Sequence, residues 1–383
     1  MPPSPTPANT VAPTATETPS PTSPPLSATV TQLPGSNWSL VDGALPQIGK
    51  TAAGSYQQPI FALASGGFIA FAPAASGETR VFASPDGLTW KELAALPTAG
   101  VAVSDVTESG GTIVAVGRVE GGGPALNSAI AWTFDGRAWQ SFVLSPADGS
   151  GADRVAAGPA GFLISGAGPG GFELWSSTDG KSWSPVAQSG IPSDVNQPQL
   201  LANAKGYTVA QLFAPRVWHS ADGAHWTETY HAPALSGLSN YYMGPIVTAP
   251  DGGFRSFGGI YTGTGIASPV LGDTLIWTSP DMASWRLTGS IKSPGWIDTV
   301  VSIAGGFVAA GTQPAAAASG GAGVFGPLGA WTSGDGRSWQ RLTGLSSLPD
   351  SQVLAVVGDG THAVIEIVDE QSNLELLVGA GLK

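Results

Sequence analysis

The feature that most constrains the fold is a motif repeated six times, in which an Asp-Gly-type turn joins two strand-like runs and a Trp opens the second run. These Trp residues stand at positions 90, 139, 183, 226, 285 and 339, so the repeats are 43 to 59 residues long. Repeats of this length are typical of propeller blades. Each repeat also contains a Gly-Gly-Phe-like turn between apolar runs, as in residues 66–72 and 305–311. The pattern predicts four short strands per repeat, the content of one blade.

The two ends of the chain complete the count of blades. Residues 37–43 match the strand that follows each turn, and residues 352–381 supply three strands with no turn after them. Joining the two ends would remove the exposed sheet edges of an open array. The sequence therefore predicts an all-β, seven-bladed β-propeller of four-stranded antiparallel blades. Its last blade is closed by the N-terminal strand, with Trp38 alongside the strand near Leu377.

Composition limits the classes of partner. With 54 Gly, 32 Pro and few charged residues, the chain is poorly suited to long surface helices. The net charge of -12, with only 15 Lys and Arg, argues against nucleic acid and anionic membrane surfaces as partners. There is no Cys, which excludes disulfides and thiolate sites. No apolar run reaches the length of a membrane span, so we expect no membrane insertion by this segment.

The N-terminal region differs from the rest of the chain. Residues 1–36 are rich in Pro, Thr and Ser, which cannot offset the entropy of ordering. We expect a disordered stalk or linker there and the propeller in residues 37–383; an ordinary tail without an anchoring role is the alternative. Met1 is followed directly by Pro2 and Pro3, so we expect that an export signal once preceded this segment. The stalk predicts an extracellular or cell-surface location, and the Ala/Gly-rich, Lys-poor composition is typical of bacteria with GC-rich genomes. We expect a monomer.

The Asp-Gly turn has a structural explanation. The Asp, and a Ser or Thr two residues before it, bind backbone N–H groups within a hairpin, and Gly supplies a positive φ. Met282 replaces this Gly in the fifth repeat, so that turn should be altered or strained. We interpret the six aspartates as scaffold: Asp86, Asp135, Asp179, Asp222, Asp281 and Asp335.

The motif resembles the Asp box of sialidase-like propellers, also called the BNR repeat, although here Gly follows Asp directly, as in Asp86-Gly87. The resemblance implies a β-propeller, with a six-bladed sialidase-type propeller as the alternative fold. Sialidases of this kind use three converging arginines and an F/Y-R-I-P motif, and the Phe254-Arg255 pair lacks the Ile-Pro. The pattern places only Arg118, Arg154 and Arg255 near the axis. We therefore predict no catalytic residues.

Two groups of residues are candidates for ligand binding. Polar residues near the starts of the inner strands form a ring, which is either a hydrated channel or part of a site: Gln58, Asp105, Asp153, Arg154, Gln197, Gln199, Asp298 and Gln352. Aromatic residues on loops form the second group, which is either a platform for a sugar or protein, or a small core beneath the loops: Trp296, Tyr241, Tyr242 and Tyr261. We name Trp296, Tyr241, Tyr242, Tyr261, Arg154, Asp153 and Asp298 as candidate ligand-binding residues.

Two functions remain open at this point. One is a non-catalytic binding or scaffolding propeller outside the cell, with a glycan or protein partner. The other is a divergent sialidase-like glycoside hydrolase, which would need two converging carboxylates from Asp105, Asp153 and Asp298. His219, His225 and His231 have no accompanying ligand spacing, so we predict neither a metal site nor a cofactor.

Overall fold

The structure is a computed structural model that describes residues 28–46, 60–74, 76–120, 127–145, 148–195, 198–232, 241–260, 273–292, 297, 299–312, 326–371 and 373–379. These residues form β-strands β1 to β30 and one short 3-10 helix, Leu345–Ser347. The strands build seven antiparallel sheets, which are the blades of a seven-bladed propeller. The predicted fold is therefore confirmed, and the six-bladed alternative is wrong.

The strands follow the chain blade by blade. Two strands come first: β1 (Thr29–Gln32) and β2 (Trp38–Asp42). Blade 1 has β3 (Ile60–Ala62), β4 (Phe68–Pro73), β5 (Thr79–Ser84) and β6 (Lys91–Glu92). Blade 2 has β7 (Val101–Ser109), β8 (Thr112–Val119), β9 (Ser128–Phe134) and β10 (Trp139–Val143). Blade 3 has β11 (Gly151–Gly158), β12 (Gly161–Gly168), β13 (Gly171–Ser177) and β14 (Ser184–Pro185). Blade 4 has β15 (Gln199–Asn203), β16 (Gly206–Gln211), β17 (Arg216–Ser220) and β18 (Thr227–His231).

The remaining blades follow the same plan. Blade 5 has β19 (Tyr241–Tyr242), β20 (Ile246–Thr248), β21 (Phe254–Ile260), β22 (Asp273–Ser279) and β23 (Arg286–Lys292). Blade 6 has β24 (Thr299–Ile303), β25 (Gly306–Thr312), β26 (Leu328–Ser333) and β27 (Gln340–Arg341). Blade 7 joins β28 (Ser351–Gly358), β29 (Ala363–Asp369) and β30 (Leu374–Gly379) to β2 and β1.

The order of strands gives the propeller two distinct faces. Contacts such as those between β7 and β11, β11 and β15, and β28 and β3 place the first strand of each blade at the axis. We call the face on which these inner strands begin the upper face. Because successive strands are antiparallel, the loop between the second and third strands also lies there. The Asp-Gly turns, which join the third and fourth strands, lie on the opposite, lower face.

The ring is closed by the N-terminal segment. In β2, Trp38 lies opposite Gly379 and Leu40 opposite Leu377, which is the pairing expected from the sequence. β1 then pairs with β2 and adds a fifth strand to blade 7, with Thr29 opposite Asp42. This strand lies inside the segment that composition assigned to a stalk, so the sheet begins before residue 37.

The core consists of seven apolar layers, each between two neighbouring blades. Large aromatic side chains dominate these layers, since each can bury about 150–250 Å². Six Trp side chains are almost fully buried: Trp38, Trp90, Trp132, Trp218, Trp277 and Trp331. No helix in the described ranges is long and apolar enough to cross a membrane.

Candidate functional site

The Asp side chains of the turns bind the backbone of their own hairpins. In the first turn, the Oδ1 of Asp86 accepts the amides of Leu88 and Thr89 at 2.9 Å each. The Ser84 hydroxyl accepts the Gly87 amide at 2.8 Å, and the Trp90 indole donates to the Gly87 carbonyl at 2.9 Å. The same two amide bonds to the carboxylate recur at Asp135, Asp179, Asp222, Asp281 and Asp335.

In five of the six turns, these bonds lower the pKa of the carboxyl group. Amides of Ser182 and Lys181 stabilise the ionised form of Asp179 and lower its pKa to about 2. Backbone amides likewise lower the pKa of Asp135 and Asp335. A carboxylate held in its ionised form cannot serve as a proton donor near neutral pH. The turns therefore offer hairpin-stabilising groups rather than acid catalysts.

The fifth turn keeps its geometry despite the missing glycine. Met282 has a φ of 66°, close to the 73° of Gly180 and Gly336. Its carbonyl still accepts the Trp285 indole N–H at 2.7 Å, and its side chain is buried. The turn is thus strained rather than altered, since a left-handed non-glycine residue costs about 1–2 kcal/mol.

On the upper face, three of the predicted polar residues meet between blades 2 and 3. The Oδ2 of Asp105 accepts the Val155 amide at 2.9 Å. The Arg154 guanidinium donates to the carbonyl oxygens of Ser104 at 3.4 Å and Asp153 at 3.1 Å. The register of β7 shifts just before Asp105, and that of β11 shifts across Asp153. Such bulges redirect side chains and commonly adjoin binding sites.

This group combines an exposed cation with two partly buried carboxyl groups. Burial raises the pKa of Asp105 to about 6, against the opposing effects of the Arg154 charge and the Val155 amide. Burial also raises the pKa of Asp153, opposed by Arg154 and Arg118. The arrangement can donate hydrogen bonds from Arg154 and exchange protons at weakly acidic pH. Its chemistry suits a polar ligand.

Another member of the predicted polar ring holds two blades together. Gln199 donates to the Ile246 carbonyl at 3.3 Å and accepts the Ile246 amide at 2.7 Å. These two bonds join the inner strands of blades 4 and 5 and occupy both ends of the amide group. Gln199 therefore acts as an inter-blade link, as the Asp105 bond to Val155 does between blades 2 and 3.

The aromatic group around Tyr242 contains a residue that the sequence did not identify. Phe213, in the loop between β16 and β17, packs its ring 6.1 Å from that of Tyr242 at an interplanar angle of 34°. A backbone bridge joins the same two residues. Phe213 is 54% exposed, whereas the neighbouring Met243 is fully buried. Phe213 and Tyr242, which we call the aromatic pair, form an apolar surface on the upper face between blades 4 and 5.

Several predicted site residues lie outside the described residues: Gln58, Gln197, Tyr261, Trp296 and Asp298. The backbone of Tyr241 belongs to β19, but its side chain is also outside them. Of the seven residues named as candidate ligand-binding residues, the structure therefore locates the side chains of Tyr242, Asp153 and Arg154.

The histidines of blade 4 each have a separate partner. His219 contacts the Thr208 hydroxyl at 3.3 Å, His225 contacts Asp222 at 2.7 Å, and His231 contacts Glu228 at 2.8 Å. Within the described ranges, no group of three or more His, Asp or Glu side chains is placed to hold a metal ion.

Arg255 lies far from the position that the sequence pattern gave it. It follows the turn between β20 and β21 on the lower face, where it pairs with Asp251. There it lines a cavity of about 660 Å³ together with Arg286 and Arg337. The cavity lies between the turn that contains Met282 in blade 5 and the Asp-Gly turn of blade 6. Sequence reasoning missed it because the three arginines come from different hairpins.

Comparison with known proteins supports the architecture. The chain is similar to the solved structure of YCF48 bound to D1 peptide, with a TM-score of 0.55 and 14% identity over 93% of this chain and 98% of that one. It is also similar to the β-propeller domain of Cps50 (Swd1) from Myceliophteria thermophila, with a TM-score of 0.51 and 9% identity over 85% and 97% of the two chains. No protein-family model matches the chain, and no curated protein has a matching sequence. At these identities the likeness shows the propeller fold alone.

Proposed function

We propose that this protein is a non-catalytic binding or scaffolding propeller of the Asp-box type, whose upper face binds a peptide or a glycan. The observation that carries the proposal is the aromatic pair. Phe213 is one of three exposed large hydrophobic residues in the described part of the chain, with Val30 and Val143. Exposed aromatic rings on loops are typical contacts for sugar faces and for apolar side chains of a protein partner.

The surroundings of the aromatic pair favour a binding role. The β19–β21 pairing fixes the backbone of Tyr242, and its ring packs against Gly259, so the ring requires little ordering when a ligand binds. The exposed Arg154 guanidinium supplies a polar contact on the same face, at blade 3. YCF48, a propeller of similar architecture, binds a peptide, and this makes a peptide the first ligand class to test.

The test is a binding screen with matched variants. Immobilised protein is presented with a peptide library and a glycan array, and affinities for the best ligand are then measured by calorimetry. Phe213→Ala and Tyr242→Ala should each weaken binding by about tenfold or more, the effect expected at a binding hot spot. Val143→Ala is the control, because Val143 is 67% exposed on the outer strand of blade 2.

Melting temperatures complete this test. The Phe213→Ala variant should melt within about 2 °C of the parent, since surface substitutions usually change stability by no more than ~0.5 kcal/mol. A large fall in melting temperature with unchanged affinity would show that the pair is a small core instead. Binding that both substitutions leave intact would refute the proposal.

The proposed location is outside the cell. Its support is the Pro/Thr/Ser-rich composition of residues 1–27 and the scarcity of charge throughout the chain. Fractionating cells that naturally produce the protein tests this location, and protein found only in the cytoplasm would contradict it.

One observation favours a second function, a divergent glycoside hydrolase. Asp105 has a pKa raised by burial to about 6, a value suited to a general acid, and Asp153 lies nearby on the next blade. The Asp105 carboxylate is already bonded to the Val155 amide, which favours a structural role. A panel of chromogenic glycosides assayed at pH 4–8 separates the two functions. Turnover lost in both Asp105→Asn and Asp153→Asn variants would support the hydrolase.

A further inference from the structure

The cavity on the lower face between blades 5 and 6 has a composition that no other observation explains. Arg255, Arg286 and Arg337 all line it. In a chain with a net charge of -12 and only 15 Lys and Arg, such a concentration of cations is unusual. We propose that this cavity is a binding site for an acidic sugar of the uronic acid class, held through its carboxylate by Arg286 and Arg337. The inference is independent of the proposed function, because the aromatic pair lies on the opposite face.

Three hairpins position the arginines. Arg255 is the second residue of β21, directly after a turn that contains Asp251. Arg286 is the first residue of β23 and follows the buried Trp285. Arg337 follows the turn glycine of blade 6. Two of the hairpins belong to blade 5 and one to blade 6, so the cavity depends on the packing of the two blades.

The charges around the cavity do not balance. Arg255 is neutralised by its ion pair with Asp251. Asp335 is the second acidic residue of the lining, and its Oδ1 accepts the amides of Arg337 and Ser338 at 2.8 Å each. Arg286 and Arg337 are exposed, and neither side chain has an ion pair within the described ranges. Each guanidinium group is therefore available to a bound carboxylate, which can accept paired, charge-assisted hydrogen bonds from it.

The rest of the lining suits a sugar. The volume of about 660 Å³ lies within the range of ~300–1,000 Å³ that small-molecule sites occupy. Trp285, Pro280 and Ile276 supply apolar surface, and the hydroxyls of Thr278 and Ser284 supply polar groups. A pyranose ring presents the same combination of C–H faces and hydroxyls. The three arginines and two aspartates of the lining leave one positive charge in excess, which a single carboxylate on that ring balances.

The repeat provides an internal comparison. At the interface of blades 1 and 2, Lys91 and Arg137 occupy the repeat positions of Arg286 and Arg337. Ile69 stands there at the position of Arg255, and Ser65 stands at that of Asp251. The interface of blades 1 and 2 therefore shares the two cations with that of blades 5 and 6, whereas the Arg255–Asp251 pair is particular to blade 5. Lys91 and Arg137 provide a matched control pair.

The experiment measures binding of glucuronate and galacturonate to the full chain by calorimetry at low ionic strength. Glucose and the methyl ester of glucuronate serve as neutral comparators, and inorganic phosphate and an acidic hexapeptide serve as alternative anions. We expect a uronate to bind and its ester to bind about tenfold more weakly or worse, because the ester lacks the charge-assisted hydrogen bonds. The double variant Arg286→Gln/Arg337→Gln should lose about tenfold or more in affinity. The double variant Lys91→Gln/Arg137→Gln should stay within about twofold of the parent.

Each alternative result overturns the proposal. Absence of uronate binding, equal binding of ester and acid, or unchanged affinity in the Arg286→Gln/Arg337→Gln variant contradicts a carboxylate site. Preferential binding of phosphate or of the acidic hexapeptide assigns the cavity to a different class of ligand. Thermal melting of both double variants establishes that they are folded. The Phe213→Ala and Tyr242→Ala variants test the upper face separately. A negative result at one site therefore does not contradict the proposal for the other site.

Discussion

At the scale of single residues, Glu366 is the most unusual side chain in the core. It lies in the middle of β29, opposite Ala355 and Leu376, and is fully buried. Neither carboxyl oxygen has a hydrogen-bond partner among the residues that the structure describes. Burial without compensation raises the pKa of Glu366 well above its usual value. The folded protein therefore holds a proton here that the unfolded chain releases near pH 4.3.

This proton gives a stability that depends on pH. The contribution of Glu366 to the free energy of unfolding is complete below the pKa that this group has in the unfolded chain. It is lost as the pH rises toward the higher pKa of the folded state. Gln does not titrate, so Glu366→Gln should gain stability relative to the parent by up to about 1.4 kcal/mol per pH unit above pH ~4.3. Urea unfolding between pH 4 and 8 measures this gap, with Glu78→Gln, at an exposed residue, as the control. A gap that does not change with pH would show that Glu366 is ionised in the folded protein.

The residues of the candidate site were only partly predictable. Tyr242, Asp153 and Arg154 could be named as candidates because they are aromatic or polar residues at places where the repeat predicts loops and inner strands. Phe213 was missed because its loop has no repeat signature, and its contact with Tyr242 crosses from blade 4 to blade 5. Arg255 was expected near the axis or its mouth, but it lies at the lower-face end of β21. The repeat pattern does not show how far along a strand a residue lies. Contacts between blades depend on packing, which a motif within one blade does not encode.

At the scale of elements, the Asp-Gly turn acts as a contact between blades. A Cβ built on Gly336 of blade 6 would lie 2.7 Å from the Phe257 ring of blade 5. Similarly, a Cβ on Gly87 of blade 1 would lie 2.7 Å from Val364 of blade 7. Four of the five turn glycines therefore pack on the preceding blade, and Gly136 of blade 2 is the exception. Glycine is needed there for its positive φ and for the close approach.

A pair of glycine substitutions separates these two requirements. Gly336 and Gly136 have φ values of 73° and 92°, so alanine at either position should cost about 1–2 kcal/mol of backbone strain. A Cβ at Gly136 would meet nothing within 4 Å, whereas at Gly336 it would meet the Phe257 ring, which packs on Phe307 and Trp339. We expect Gly336→Ala to destabilise the protein by about 1–3 kcal/mol more than Gly136→Ala. Equal losses in denaturant unfolding would mean that the turn does not press on its neighbour.

The elements themselves were largely predictable, because a motif repeated six times reports blade number and strand order together. β1 is the exception. Its sequence, Thr-Val-Thr-Gln, lies in a Pro- and Thr-rich segment, and its side chains are exposed. Composition therefore masked a strand whose stability comes from pairing with β2 rather than from apolar burial.

At the scale of the whole molecule, stability depends on closing the ring. The seven apolar layers between blades form a cycle, and the N-terminal segment contributes to two of them. Leu33 and Trp38 belong to the layer between blades 6 and 7, while Val41 and Leu45 belong to the layer between blades 7 and 1. The residues of β1 and β2 thus join the first and last blades through side chains as well as backbone pairing.

Three truncations measure what closure contributes. Starting the chain at residue 28 should leave the melting temperature unchanged, because the described contacts of the sheet remain. Starting at residue 37 removes β1 and Leu33 and should cause a small fall. Starting at residue 47 also removes Trp38, whose loss alone is worth about 3–5 kcal/mol, so the melting temperature should fall by roughly 10 °C. The uncovered edge of β30 should also promote association, visible by size-exclusion chromatography. Adding a peptide of residues 28–46 should restore both properties, and a chain from residue 47 that melts like the parent would show that the other strands close the ring without it.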